Sequence, residues 1–289
     1  MSDSVIFVGN RRFVLEQMLR ENIRPSAVFV FHGTHLQRDL DKGLIPEVNN
    51  AVVFKNKAEL LTLLKQTKFD VLVSNGCPFI LPIAELPKAK YVNIHPSYLP
   101  DLRGADPAIG ALLFKRDAGA TCHLMDAGID TGPIVSQLRI PYTDDLDVTT
   151  LYQLSFVAEK RVFSEALAQN FEPTKGQLPN SGLVYYSRKK EDRIITFEEP
   201  NDFILQKIKA FNNRAAGCEF IVRGISFRVF SARTMSNPFL SLIVKDFAPL
   251  TVALSYENSI VFHKDGQVLK FDGIESSDGS IICVGELLH

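Results

Sequence analysis

The chain has 289 residues, 46% of them hydrophobic, so it can bury at least one full core, and disorder is excluded as its default state. Thirty-two basic against thirty-three acidic residues leave a net charge of −1, which excludes a global electrostatic footprint for a polyanion such as tRNA or DNA. Cys77, Cys122, Cys218 and Cys283 lie far apart without a CxxC pair, which excludes zinc-finger spacing and a dense disulfide framework.

The first residues lack the basic stretch and long apolar run of a secretory signal, and no apolar run reaches the roughly 18 residues of a membrane span, so a soluble cytoplasmic protein is expected. Val5 to Val8 reads as a strand ending in Gly9-Asn10, and Phe13, Leu15, Met18 and Leu19 have the spacing of an amphipathic helix. Further strands are expected at Ala27 to Phe31, Ala51 to Phe54, Val71 to Ser74, Lys90 to Val92 and Thr121 to Met125, with a helix over Ala58 to Leu64. Such alternation predicts an α/β fold with a doubly wound, mostly parallel, Rossmann-like sheet. Ligands then bind beyond the carboxyl ends of the strands, which directs attention to Asn75-Gly76-Cys77-Pro78, to Asn93-Ile94-His95-Pro96 and to the stretch from Asp126 to Gly132.

A helix from about Val148 to Ala168 closes this half, and the turn-prone stretch from Glu172 to Ser181 reads as a linker. The expected domains are therefore 1–180 and 181–289. In the second, Asn201 to Phe211 reads as a helix, and short apolar runs at Phe220, Phe227, Val252, Ile260 and Val268 alternate with turns such as Lys264-Asp265-Gly266, which predicts a small, mainly antiparallel β domain. Its Phe227, Phe230, Phe239 and Phe262 are expected in the core. Neither GxGxxG nor GxxxxGK[ST] is present, so dinucleotide and P-loop readings lose their main support.

Asn93 and His95 stand two apart at a strand end, so in a persisting strand they share one face. Imidazole exchanges protons near neutral pH, and a carboxamide donates to a developing oxyanion without changing charge. Asp130, in a Gly-Ile-Asp-Thr-Gly turn, has the chemistry to orient the imidazole. A lone strand-end Asn or His is usually structural and an Asp between glycines usually a turn residue, so the surrounding text carries the weight.

That text resembles the folate-dependent formyltransferase family, which includes glycinamide ribonucleotide formyltransferase, methionyl-tRNA formyltransferase and the nucleotide-sugar N-formyltransferases. The family pattern Asn-x-His-x-Ser-Leu-Leu-Pro followed by Arg-Gly stands here as Asn93, His95, Ser97, Tyr98, Leu99, Pro100, Arg103 and Gly104, with Tyr98 replacing the first leucine. The later pattern stands as Gly119, Thr121, His123, then Asp130-Thr131-Gly132-Pro133-Ile134. The resemblance implies a catalytic trio of Asn93, His95 and Asp130, with 10-formyltetrahydrofolate as formyl donor and no metal. It also implies a pterin slot between Cys77, Pro78, Phe79, Ile80 and Leu81 on one side and Met125, Asp126, Ala127, Gly128 and Ile129 on the other. The side chains of Phe79 to Leu81 read equally well as core, which leaves the backbone as the expected ligand.

Ser97, Tyr98, Arg103 and Gly104 are expected at the acceptor, and so is Arg11, for which a solvated helix face is the competing reading. His123 is expected to be structural. For the acceptor itself, Ser181 to His289 carries thirteen basic and thirteen acidic residues, a poor platform for tRNA, and the Gly33 to Lys42 insertion is short and of mixed charge. A nucleotide-linked amino sugar is therefore the expected acceptor. Methionyl-tRNA is the alternative, glycinamide ribonucleotide is more distant because that enzyme is typically a single domain, and a formyltetrahydrofolate hydrolase or a non-catalytic folate- or sugar-binding module is disfavoured. The C-terminal sheet reads as a homodimer contact or as part of the acceptor pocket.

Overall fold

The computed structural model describes residues 4–177, 182–213 and 216–289. The chain divides into two compact units, one of residues 1–107, 117–141 and 152–186 and the other of 108–116, 142–151 and 187–289. The break expected between 180 and 181 falls outside the described residues.

In chain order the elements from the first residue to 168 are β1 (Val5–Gly9), α1 (Arg12–Arg20), β2 (Ala27–Phe31), α2 (His35–Asp41), β3 (Ala51–Phe54), α3 (Lys57–Gln66), β4 (Val71–Asn75), β5 (Lys90–His95), α4 (Pro107–Leu113), β6 (Ala118–Leu124), β7 (Ile134–Ile140) and α5 (Val148–Ala168). The seven strands form one sheet in the order β3, β2, β1, β4, β5, β6, β7. Strands β3 to β5 pair in parallel, whereas β6 runs antiparallel to β5 and β7 antiparallel to β6. The sheet is thus the mostly parallel, Rossmann-like one expected.

Local chemistry explains the start of α3: Asn56 Oδ1 accepts from the Glu59 N–H at 3.0 Å, and Glu59 Oε2 accepts from the Lys55 N–H at 2.7 Å, so two otherwise orphaned donors are satisfied by a capping box. Its Leu60 and Leu64 pack into a cluster with Ile6, Val8, Phe29, Phe54 and Leu72. With a side-chain period of two, Ile6 and Val8 face that helix and Phe7 faces the opposite side of the sheet. Helix α1 buries Val14, Leu15 and Met18, and its Phe13 stacks on Phe156 of α5 at 4.1 Å.

Two features depart from expectation. The insertion after β2 contains the short helix α2, and β7 pairs beside β6 where only a motif was read. Both flanks of an interior strand are buried, so hydrophobicity cannot distinguish a parallel β6 from an antiparallel one.

The second unit contains α6 (Asn201–Ala210), β8 (Cys218–Val222), β9 (Ile225–Val229), β10 (Ser231–Met235), α7 (Pro238–Ile243), β11 (Leu254–Tyr256), β12 (Ser259–Lys264), β13 (Gln267–Asp272) and β14 (Glu275–Ser276). Antiparallel sheets in the orders β10, β13, β12, β11 and β14, β9, β8 share an aromatic core of Phe197, Phe220, Phe227, Phe262 and Phe271. Phe227 and Phe262 are buried as expected and Phe230 is half-buried. Phe239 is 70% exposed, because it lies in the short helix α7, of which only Leu240 is buried. Among the described residues no helix is long and apolar enough to cross a membrane.

Candidate active site

Antiparallel pairing places Asn93 opposite His123 and His95 opposite Thr121, so four polar side chains share one face at the end of β5. Thr121 fixes the next loop: its hydroxyl donates to the Ser97 carbonyl at 2.7 Å and accepts from the Leu99 N–H at 3.1 Å. The Ser97 hydroxyl donates to the Asp101 carbonyl at 2.9 Å, so this buried serine braces the loop internally. Tyr98 is half-buried beside it.

Asp130 arrives by a detour. The Met125 N–H bonds the Tyr91 carbonyl at 2.8 Å, upstream of His95, and the loop from 126 to 133 must climb back along β5. Asp126 helps it turn by accepting from the Gly128 N–H at 3.0 Å and the Thr131 hydroxyl at 2.6 Å. A Cβ on Gly132 would run into the Leu124 carbonyl, so the loop closes only with glycine there. Asp130 itself has φ +52°, in the left-handed region that asparagine and aspartate tolerate best.

The cluster closes on that carboxylate. Oδ1 accepts from Asn93 Nδ2 at 3.3 Å and stands 3.5 Å from His123 Nε2; Oδ2 accepts from the Gly104 N–H at 3.3 Å and stands 3.5 Å from His95 Nδ1. Each histidine commits its other nitrogen to a carbonyl: His95 Nε2 donates to Leu102 at 3.1 Å and His123 Nδ1 to Leu124 at 2.9 Å. In the neutral imidazoles, Nδ1 of His95 and Nε2 of His123 are then the bare, basic nitrogens. Asn93 Nδ2 donates to that His123 nitrogen at 3.2 Å.

Burial pulls the His95 pKa below its ordinary value, against the opposing pull of Asp130 and the Leu102 carbonyl. At neutral pH His95 is therefore uncharged and ready to take a proton. Burial alone would raise the Asp130 carboxyl, but the His123 contact, the two imidazoles and the Gly104 N–H together hold it at about 2, so it stays an anion.

The other expected contacts fall into place unevenly. Cys77, Phe79 and Met125 pack against one core cluster and Leu81 is buried within it, whereas Pro78, Ile80, Asp126, Ala127, Gly128 and Ile129 stay exposed. Phe79 meets Phe31 edge-on at 5.4 Å, so its side chain is core. Arg103 Nη2 donates to Gln177 Oε1 at 3.0 Å. Arg11 takes neither expected role cleanly: its guanidinium pairs at 2.5 Å with Glu159, a fully buried carboxylate of α5, instead of lying on a solvated face. Asn75 Nδ2 bridges Glu159 Oε2 at 3.1 Å and the Ile94 carbonyl at 3.2 Å.

His123, Asn75, Glu159 and Gln177 were not assigned functional contacts from sequence. The alternation of Thr121 and His123 was the available signal for His123, since it matches the alternation of Asn93 and His95 on the facing strand. Among the described residues no group of His, Cys, Asp and Glu has the arrangement to hold a metal ion.

An open α/β sheet with a neutral histidine, a permanent carboxylate and a carboxamide converging at a strand end defines an enzyme scaffold equipped for proton-coupled group transfer. The family model described as Formyl transferase matches residues 18–167, and the chain belongs to the formyl transferase family. The methionyl-tRNA formyltransferase of Legionella pneumophila (strain Corby) is 35% identical over 230 residues, 72% of each chain. That of Janthinobacterium sp. (strain Marseille) is 32% identical over 170 residues, 56% of this chain and 54% of the relative, so the chain spans about half the length of several curated relatives it matches. Among solved structures, WlaRD, a sugar 3N-formyl transferase in the presence of dTDP and 5-N-formyl-THF, has a TM-score of 0.68 at 18% identity and covers 93% of this chain and 97% of its own. The N-formyltransferase of Helicobacter canadensis, in complex with folinic acid and dTDP-3-aminofucose, has the same score and identity and covers 93% and 98%.

Proposed function

We propose that this protein transfers the formyl group of 10-formyltetrahydrofolate to the amine of a nucleotide-linked amino sugar, with Asn93, His95 and Asp130 as its catalytic residues. The observation that carries the chemistry is the convergence of Asn93 and His95 on the Asp130 carboxylate, 3.3 and 3.5 Å away.

The residues present fit the donor. Exposed Ile80 and Ile129 offer apolar flanks on two segments that share one core cluster through Cys77, Phe79 and Met125, while the Asp126 carboxylate is already engaged by its own turn. Backbone amides and carbonyls from Cys77 to Leu81 and Met125 to Ile129 are what remain to hold a flat, amide-like ring. When bound, the donor supplies a formyl carbon whose bond to nitrogen breaks as the bond to the acceptor amine forms.

His95 Nδ1 is the group that receives the proton released by the amine, because Nε2–H is held by Leu102. Asp130 stabilises the resulting imidazolium, which returns that proton to the donor nitrogen as it departs, and Asn93 turns one of its two Nδ2–H bonds toward negative charge developing on the formyl oxygen. Tyr98, Arg103 and Gly104 lie on the adjoining loop and face the acceptor in this reading, whereas Ser97, expected there from sequence, is buried and braces the loop from within. Residues 1–180 carry the chemistry and 181–289 form an auxiliary domain.

Support for a sugar acceptor comes from the balanced charge of residues 181–289, from the mixed charge of the insertion that holds α2, and from sugar N-formyltransferases that match the fold along nearly their whole length. The second reading, methionyl-tRNA as acceptor, is favoured by the 35% identity across 72% of the Legionella enzyme. Formyl transfer from 10-formyltetrahydrofolate to dTDP-3-aminofucose and related amino-sugar nucleotides, run beside initiator methionyl-tRNA, separates them. Product on the sugar alone is the expected result; product on tRNA alone overturns the acceptor and leaves the trio in place.

A further inference from the structure

The stretch that reads from sequence as a linker contains a side chain that touches the Asp130 loop. Segment 174–177 runs antiparallel to the start of β7: the Thr174 N–H donates to the Ile134 carbonyl and the Ile134 N–H to the Lys175 carbonyl, both at 2.8 Å. This brings Gln177 alongside Gly132. Its Nε2 donates to the carbonyls of Asp130 and Gly132 at 3.1 and 2.7 Å, and its Oε1 accepts from Arg103 Nη2 at 3.0 Å. All the hydrogen-bonding capacity of that primary amide's nitrogen is spent on one turn, the turn that holds Asp130 at φ +52°.

The opposite side of the same aspartate is held through Arg103 as well. The next residue, Gly104, donates its N–H to Asp130 Oδ2, and the Arg103 carbonyl accepts from the Tyr186 N–H at 2.9 Å. Asp130 is therefore clamped at its carbonyl by Gln177 and at its carboxylate by Gly104, with Arg103 joining the two grips.

We propose that Gln177 is a positioning residue for formyl transfer: it fixes the left-handed turn that aims the Asp130 carboxylate at His95. A left-handed non-glycine residue is held there only by surrounding contacts, and two of those on this turn come from one side chain. A shift of about 1 Å in a reacting group can cost on the order of 100-fold in rate. The inference rests on the catalytic reading of Asp130, so its test needs a readout that does not depend on the acceptor.

That readout is the titration of the His95 imidazole, followed by nitrogen-15 NMR in the full-length protein without ligands. The charged groups facing His95 are Asp130 on its loop, His123 on β6 and Arg11 after β1; Asp130 raises its pKa, and the other two lower it. In Gln177→Ala and in the similarly sized, uncharged Gln177→Met, both of which remove the two donors without adding a charge, His95 should titrate at lower pH, in the direction produced by Asp130→Asn. With 10-formyltetrahydrofolate and dTDP-3-aminofucose, kcat should fall about 10- to 100-fold with little change in KM, and the acid limb of its pH profile should move down. A His95 titration that moves in Asp130→Asn and stays at the wild-type position in both Gln177 variants overturns the proposal. Full activity in Asp130→Asn overturns the catalytic reading and this inference with it.

Discussion

The two units bury polar groups to different ends. In the first, His95, Ser97, Thr121, His123 and Glu159 are buried, and the bare nitrogens of both histidines lie 3.5 Å from one carboxylate. Buried oxygens of Asn10, Asn75, Gln137 and Ser155 there have no hydrogen-bond partner, and in the second unit Asn201 Oδ1 is in the same state. In the second unit three buried polar side chains are tied to backbone: Asn201 donates to the Lys264 carbonyl, Gln206 to the Leu112 carbonyl, and Lys207 to the Ile194 carbonyl as well as the Glu199 carboxylate. Its core is a stack of phenylalanines, with Phe262 and Phe271 edge-on at 5.0 Å. Buried titratable groups that serve structure, such as Lys207, are paired off, whereas the His95 imidazole keeps a basic nitrogen uncommitted beside Asp130.

The contrast can be broken at graded cost. The largest effect is expected from His95→Ala in the first unit, where kcat/KM should fall about 1,000-fold, in the range of a lost proton-transfer group, with thermal unfolding near wild type; activity and calorimetry on one preparation check both halves of that statement. Phe271→Ala in the second unit should do the reverse, costing about 3–5 kcal/mol in denaturant unfolding. A full-stability Phe271→Ala protein would show that the aromatic stack is dispensable.

A smaller effect separates the Asp130 carboxylate from an ordinary one. Its folded pKa of about 2 lies below the value near 4 of the unfolded chain, so its contribution is complete above pH 4 and disappears as pH falls through 2. Between those limits the wild type should lose about 2 kcal/mol more than Asp130→Asn, measured by urea unfolding at a series of pH values. The smallest effect should come from replacing a paired structural charge: Lys207→Met combined with Glu199→Leu should shift stability by no more than about 1 kcal/mol, since a buried ion pair roughly breaks even against apolar side chains. A large loss of formyl transfer in that double variant would mean that the second unit's charges are not merely structural.

Much of the first unit was legible in the sequence because its signals are local. Each of the first five strands is a short apolar run between turn residues, and their alternation with helical spacing specifies a mostly parallel sheet. Asn93 and His95 were legible as a pair because strand geometry puts residues two apart on one face, and the surrounding motif text marked Asp130 and the family. Less was visible where pairing is non-local. The direction of β6, the strand β7 and the seating of His123 opposite Asn93 depend on which backbone groups meet across the sheet. Arg11 read as a solvated or phosphate-facing cation because nothing near it in sequence announces Glu159, 148 residues away.

By itself, then, the sequence determined the succession of elements, the kinds of side chain at the end of β5 and membership of the formyl transferase family, since each is written in neighbouring residues. Only the tertiary structure decided which imidazole nitrogen is bare, how Asp130 reaches back to His95, and that Gln177 from an apparent linker grips its turn. Those outcomes come from hydrogen bonds between segments far apart in the chain, whose geometry exists only once the sheet has closed around them.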